Sequence, residues 1–85
     1  MIEFEYLIKN PVGLHMKPAK ELVELVKGMD SNVFIIYKDK RIKVDSILRV
    51  VTAGITTGQV INIEVVGGNY KENSETIKNE IVKFL

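Results

Sequence analysis

The sequence predicts an α+β fold, an open-faced β-sandwich of four strands with three helices on one face, in the order β-α-β-β-α-β-α. Three observations predict it. Residues 2–8 alternate apolar and other side chains with the period of a half-buried strand. Two later stretches place apolar residues at i, i+3, i+4 and i+7 or close to it, as amphipathic helices do. Between them, Gly, Pro, Asn and Asp divide the chain into short β-branched runs. At 85 residues, with 46% hydrophobic and 27% charged content, the chain fits one globular domain, residues 1–85, with a modest core.

Ile2, Phe4, Tyr6 and Ile8 form the inward set of the first strand. The run Asn10-Pro11-Val12-Gly13 ends it, because Pro removes a donor and Gly admits unusual dihedrals. After His15, the stripe Ala19, Leu22, Val23 and Val26 predicts a helix. Pro18 is tolerated in its first turn, and Gly28 stops it. Residues 33–37 read as a strand, 38–40 as a polar turn and 41–44 as a second, more polar strand. Asp45-Ser46 looks like a helix start leading into residues 47–51 and ending before Gly54; the capping residues and Gly outweigh the β-branched content. Residues 60–65 give the last strand. Gly67-Gly68-Asn69 is a turn, and Tyr70, Ile77, Ile81 and Phe84 share one stripe of a helix running to the C-terminus, with Val82 outside it.

Composition narrows the chemistry. Twelve Lys and Arg against eleven Asp and Glu leave a formal net charge of +1, with the two signs interleaved. This is no footprint for nucleic acid or an anionic membrane. The absence of cysteine removes disulfides, thiolate catalysis and Cys-based metal sites. One histidine among scattered carboxylates makes no metal site, and no phosphate-loop, dinucleotide or EF-hand signature occurs, so no cofactor is expected. No apolar run approaches the ~20 residues of a membrane span. The acidic, alternating N-terminus is unlike a secretory signal, which points to a cytoplasmic protein without membrane insertion. The chain is taken to act as a monomer.

The candidate chemistry centres on His15, the only histidine, in Gly13-Leu14-His15-Met16-Lys17-Pro18-Ala19. A helix start offers unpaired N–H groups and the positive end of a dipole, and so favours anions. A neutral imidazole nitrogen there is a nucleophile able to accept a phosphoryl group, and Lys17 supplies charge to neutralise it. The plainer alternative is a surface histidine that happens to cap a helix. Ser46 reads first as an N-cap and second as a phosphorylation site, since phosphate is electrostatically welcome at a helix start. Ile47, Leu48, Val50 and Val51 are too many apolar residues for one buried stripe, because successive residues lie about 100° apart around the helix. The surplus is either an untidy core edge or a docking patch for proteins.

These residues carry a resemblance over the whole chain. The element order, the length, Gly13-Leu14-His15 with Pro18-Ala19, Ser46 at the second helix, and Gly54 and Gly58 after it resemble the HPr family. These are the histidine-containing phosphocarriers of the bacterial phosphoenolpyruvate-dependent sugar phosphotransferase system. The resemblance implies a four-stranded antiparallel sheet with three helices on one face. It implies that His15 accepts a phosphoryl group on Nδ1 from enzyme I and passes it to a sugar-specific enzyme IIA. It further implies that an HPr kinase/phosphorylase acts on Ser46 and that a catabolite-control regulator is a partner. Met16, Lys20, Ile47, Leu48 and Val51 would form the docking surface. The active-site run departs from the family pattern, which has a small residue and then Arg after the histidine, and a small residue at the position of Lys20. Met16 adds bulk beside the imidazole, Lys17 keeps the charge of Arg but loses its bidentate fork, and Lys20 adds a positive charge. Two functions follow: a phosphocarrier, or an HPr-like regulatory module acting through Ser46 with little or no phosphohistidine relay.

Overall fold

The alternating N-terminal run becomes β1 (Ile2–Leu7) in a computed structural model that describes residues 1–85. Ile2, Phe4 and Tyr6 turn toward the core and Glu3, Glu5 and Leu7 toward solvent, as the period of two requires. Then follow α1 (Met16–Lys27), β2 (Asn32–Tyr37), β3 (Lys40–Lys43), α2 (Ile47–Val51), β4 (Val60–Val66) and α3 (Tyr70–Ile81). Every strand pair is antiparallel, and the sheet order is β1-β4-β2-β3. The last strand in sequence therefore lies inside the sheet, between the first two.

The register explains why. Phe4 faces Ile63, Ile63 faces Ile35, and Ile35 faces Ile42, so one apolar row crosses all four strands. Ile35 and Ile63 are fully buried, and each such side chain contributes about 1.5–3 kcal/mol on leaving water. The helices close over this row. α1 buries Pro18, Ala19, Leu22 and Val26, α3 buries Ser74, Ile77 and Ile81, and the five-residue α2 buries only Val50. α2 packs against α1 and β3, while α3 packs against β4, β1 and α1. No helix is long and apolar enough to cross a membrane.

Strand ends shift by a residue from the sequence expectation, with Ile8 and Val44 falling just outside β1 and β3 and Asn32 and Val66 joining β2 and β4, and two differences have a clear physical reason. The turn expected over 38–40 is made by Lys38 and Asp39 alone, at φ +47° and +64°, and Lys40 already pairs with Tyr37 at the start of β3. Two consecutive left-handed residues fit the hairpin loop whose twist matches that of the strands. The last helix stops at Ile81 instead of reaching the C-terminus. The N–H groups of Lys83, Phe84 and Leu85 donate to the carbonyls of Glu80 and Ile81, tightening the chain into a turn. That turn buries Leu85 and places its oxygen on the N–H groups of Lys9 and Asn10, at 2.8 and 3.1 Å. Phe84 is half-buried from this turn, not from a helical stripe.

Candidate functional site

The segment ahead of α1 is pinned to the loop that precedes β4. The Asn10 Nδ2 donates to the Gly13 carbonyl at 2.6 Å, the Thr57 hydroxyl donates to the Asn10 carbonyl at 2.5 Å, and the Leu14 N–H donates to the Ile55 carbonyl at 3.0 Å. Gly13 sits at φ +80°, and a Cβ there would lie 2.8 Å from both the Ile55 oxygen and the Thr56 Cα. Only glycine meets both demands. The Leu14 side chain is buried in the core, so the residue that follows it is delivered to one position.

That residue is His15, the N-cap of α1, with extended backbone at φ −88° and ψ −167°. Its carbonyl accepts the Ala19 N–H at 3.0 Å, while its side chain makes no capping hydrogen bond. The imidazole is therefore not consumed as a cap. The N–H groups of Met16 and Lys17 belong to the first turn, which has no intrahelical acceptors, and Pro18 has no N–H. Two donors and the positive end of a three-turn helix thus remain beside a half-buried imidazole. Pro18 and Ala19 are buried; Met16, Lys17 and Lys20 are exposed.

A shallow cavity of about 210 Å³ opens beside the imidazole. Lys17 and Glu21 line it from α1, Asn10 from the preceding loop, and Lys83 and Phe84 from the C-terminal turn. Asn10 Oδ1 is buried without a partner. Lys83 reaches Glu80 at 2.8 Å and is otherwise exposed. A larger cavity, about 320 Å³, lies among Val23, Val26, Val33 and Val44 and shares no residue with this one. Size does not select the candidate site here; the free imidazole and helix start do.

Sequence reasoning named His15, Lys17, Met16 and Lys20 but missed Asn10, Glu21, Lys83 and Phe84. Asn10 carried a signal, an amide in a Pro-containing turn, where such side chains bond nearby backbone. Lys83 carried none, because only the fold brings the C-terminal turn to the start of α1.

Ser46 caps α2, its Oγ accepting the Arg49 N–H at 3.3 Å, and Asp45 holds the Arg49 guanidinium at 2.6 Å. Val50 is the buried residue of this helix, Ile47 and Val51 are half-buried, and Leu48 is 67% exposed. Met16, on the neighbouring α1, is 58% exposed. No group of three or more His, Cys, Asp or Glu side chains is placed to hold a metal ion.

Residues 2–83 match the family described as the PTS HPr component phosphorylation site. The chain belongs to the HPr family. It is 32% identical over 82 residues to the phosphocarrier protein HPr of Mycoplasma capricolum, covering 96% of this chain and 92% of that protein. Among solved structures, the histidine-containing phosphocarrier protein of a Mycoplasma superposes with a TM-score of 0.90 at 30% identity, over 96% of this chain and 93% of that one. HPr from Thermoanaerobacter tengcongensis gives 0.89 at 25% identity, over 98% and 93%. The four-stranded antiparallel sheet, the three helices and their order are those of HPr structures. Phosphocarriers of the phosphotransferase system are thus the group to which this fold and sequence belong.

Proposed function

We propose that this chain is a cytoplasmic phosphoryl carrier that takes a phosphoryl group from enzyme I on His15 and gives it to an enzyme IIA. The observation that carries the reading is an imidazole placed at a helix N-cap yet left free of capping, beside unpaired N–H groups and Lys17. In the transfer, the Nδ1 lone pair forms a P–N bond while the bond from phosphorus to the donor breaks, its electron pair leaving with the donor. The phosphoryl oxygens then accept from the helix start and face the Lys17 ammonium. Transfer to enzyme IIA reverses the step. The apolar pair Met16 and Leu48, with Ile47, Val51 and Lys20, offers both partners a common docking surface.

A second reading, a regulatory module working through phosphorylation of Ser46, is favoured by one observation: the cation after His15 is Lys17 and not the forked Arg. In that reading an HPr kinase modifies Ser46 and a catabolite-control protein reads the result. One two-armed experiment separates them. With phosphoenolpyruvate and a cognate enzyme I, the chain should gain one acid-labile, base-stable phosphoryl group that His15→Ala abolishes. Failure to label the parent chain overturns the carrier reading. With ATP and an HPr kinase, labelling should be lost in Ser46→Ala; equal labelling of that variant overturns the Ser46 assignment.

A further inference from the structure

We infer that Lys83 is a second phosphate-binding cation, and that Lys17 and Lys83 together grip the phosphoryl group on His15 from two sides. This rests on the carrier reading. Lys17 and Lys83 line the same small cavity as the imidazole, Lys17 from the start of α1 and Lys83 from the C-terminal turn. The placement of Lys83 is built in. The Leu85 oxygen accepts the N–H groups of Lys9 and Asn10, and the Asn10 side chain donates to the Gly13 carbonyl, so the turn bearing Lys83 is tied to the loop bearing His15.

Charge gives the reason for a second cation. A phosphoryl group is a dianion with three acceptor oxygens, and a single ammonium meets it as a point charge without the planar fork of a guanidinium. Glu21 lines the same cavity and adds repulsion. Lys83 supplies the missing positive charge. In the unphosphorylated chain its ammonium rests on Glu80, an exposed pair three residues apart and 2.8 Å long. Such a pair is weak, so the ammonium is free to exchange Glu80 for a dianion.

The test uses the full chain and phosphoramidate, a small donor that needs no partner protein. His15 Nδ1 forms the new P–N bond, the donor's P–N bond breaks with its pair leaving as ammonia, and the ring proton passes to solvent. Lys83→Gln should slow phosphorylation of His15 about fivefold, Lys83→Arg should match or exceed the parent rate, and Glu80→Gln, which releases Lys83, should raise it. In the spectrum of ¹³C-lysine-labelled protein, phosphorylation should shift the ε signals of Lys17 and Lys83 and leave those of Lys71 in place. Opposite signs for Lys83→Gln and Glu80→Gln are not produced by loss of a structural ion pair, which would move both variants alike. If Lys83→Gln changes the rate less than twofold and the Lys83 signal stays fixed, the inference is overturned while the carrier reading stands. If phosphoramidate and enzyme I both leave the parent His15 unlabelled, the two fall together.

Discussion

At the scale of single residues, in a carrier that takes the phosphoryl group on His15, as proposed above, the cation that follows, Lys17, would set how well that group is held. Lys17 is exposed, and its flexible stem loses rotamer freedom on meeting an anion. A guanidinium at the same place presents two parallel N–H donors to two phosphoryl oxygens, and its fixed geometry leaves less freedom to lose. Lys17→Arg should therefore speed transfer from enzyme I by about fivefold, equivalent to about 1 kcal/mol in the transition state. Single-turnover kinetics with phosphorylated enzyme I would measure it. A slower variant would mean that the site is shaped for an ammonium at this position. In the same reading Met16, 58% exposed beside the imidazole, would be covered when a partner's active site closes over it.

At the scale of elements, α3 begins on an anchor that comes from another part of the chain. Its N-cap residue, Asn69, provides no side-chain cap of its own. The Asp30 carboxylate, from the loop between α1 and β2, anchors the helix start instead: it accepts the Asn69 N–H at 3.1 and 3.2 Å and the Asn73 Nδ2 at 2.7 Å. Gly68 makes room, since a Cβ there would fall 2.5 Å from the Asp30 Cγ and its φ is +55°. The bonds from Asn69 N–H first, and from the Asn73 amide second, hold the Asp30 carboxyl below its ordinary value of 3.8, against a smaller opposing effect of desolvation. A carboxyl whose folded value is depressed stabilises the fold above the unfolded value and loses that contribution as pH falls through the folded one. Asp30→Asn keeps an acceptor but removes the charge. Its deficit in urea denaturation, measured against the parent chain, should be largest near neutrality and shrink as pH drops below about 4. A deficit unchanged down to about pH 2 would remove the carboxylate from this role.

At the scale of the whole molecule, what the sequence revealed follows from locality. The helix start at His15, the cap at Ser46 and the inward face of β1 were legible because each is decided by neighbours within a few residues, through turn chemistry, capping and side-chain alternation. The strand order, the cavity partners Asn10 and Lys83, and the long-range anchor on α3 depend on contacts between distant segments, which no local pattern carries. The open face of the sheet holds another such contact. Arg41 on edge strand β3 lays its guanidinium 3.6 Å from the Phe34 ring centroid on β2 and donates through Nε at 2.9 Å to Glu64 on β4. It thereby ties the edge strand to the interior of the sheet across an intervening strand. Arg41 remains half-exposed, but the Glu64 side chain is only 10% exposed, and Glu3 stands opposite it on β1. Removing Arg41 would leave a nearly buried carboxylate without its partner and beside a like charge. Arg41→Ala should therefore cost about 1–2 kcal/mol in denaturant unfolding, where a surface pair such as Lys78–Glu75 is worth about 0–0.5 kcal/mol. Glu64→Gln should return part of that loss when combined with Arg41→Ala, because the amide has no charge to strand. A double-mutant cycle should give a coupling of about 1 kcal/mol. Additive effects would show that the two side chains contribute separately, and that β3 is held by its hydrogen-bonded ladder and Ile42 alone.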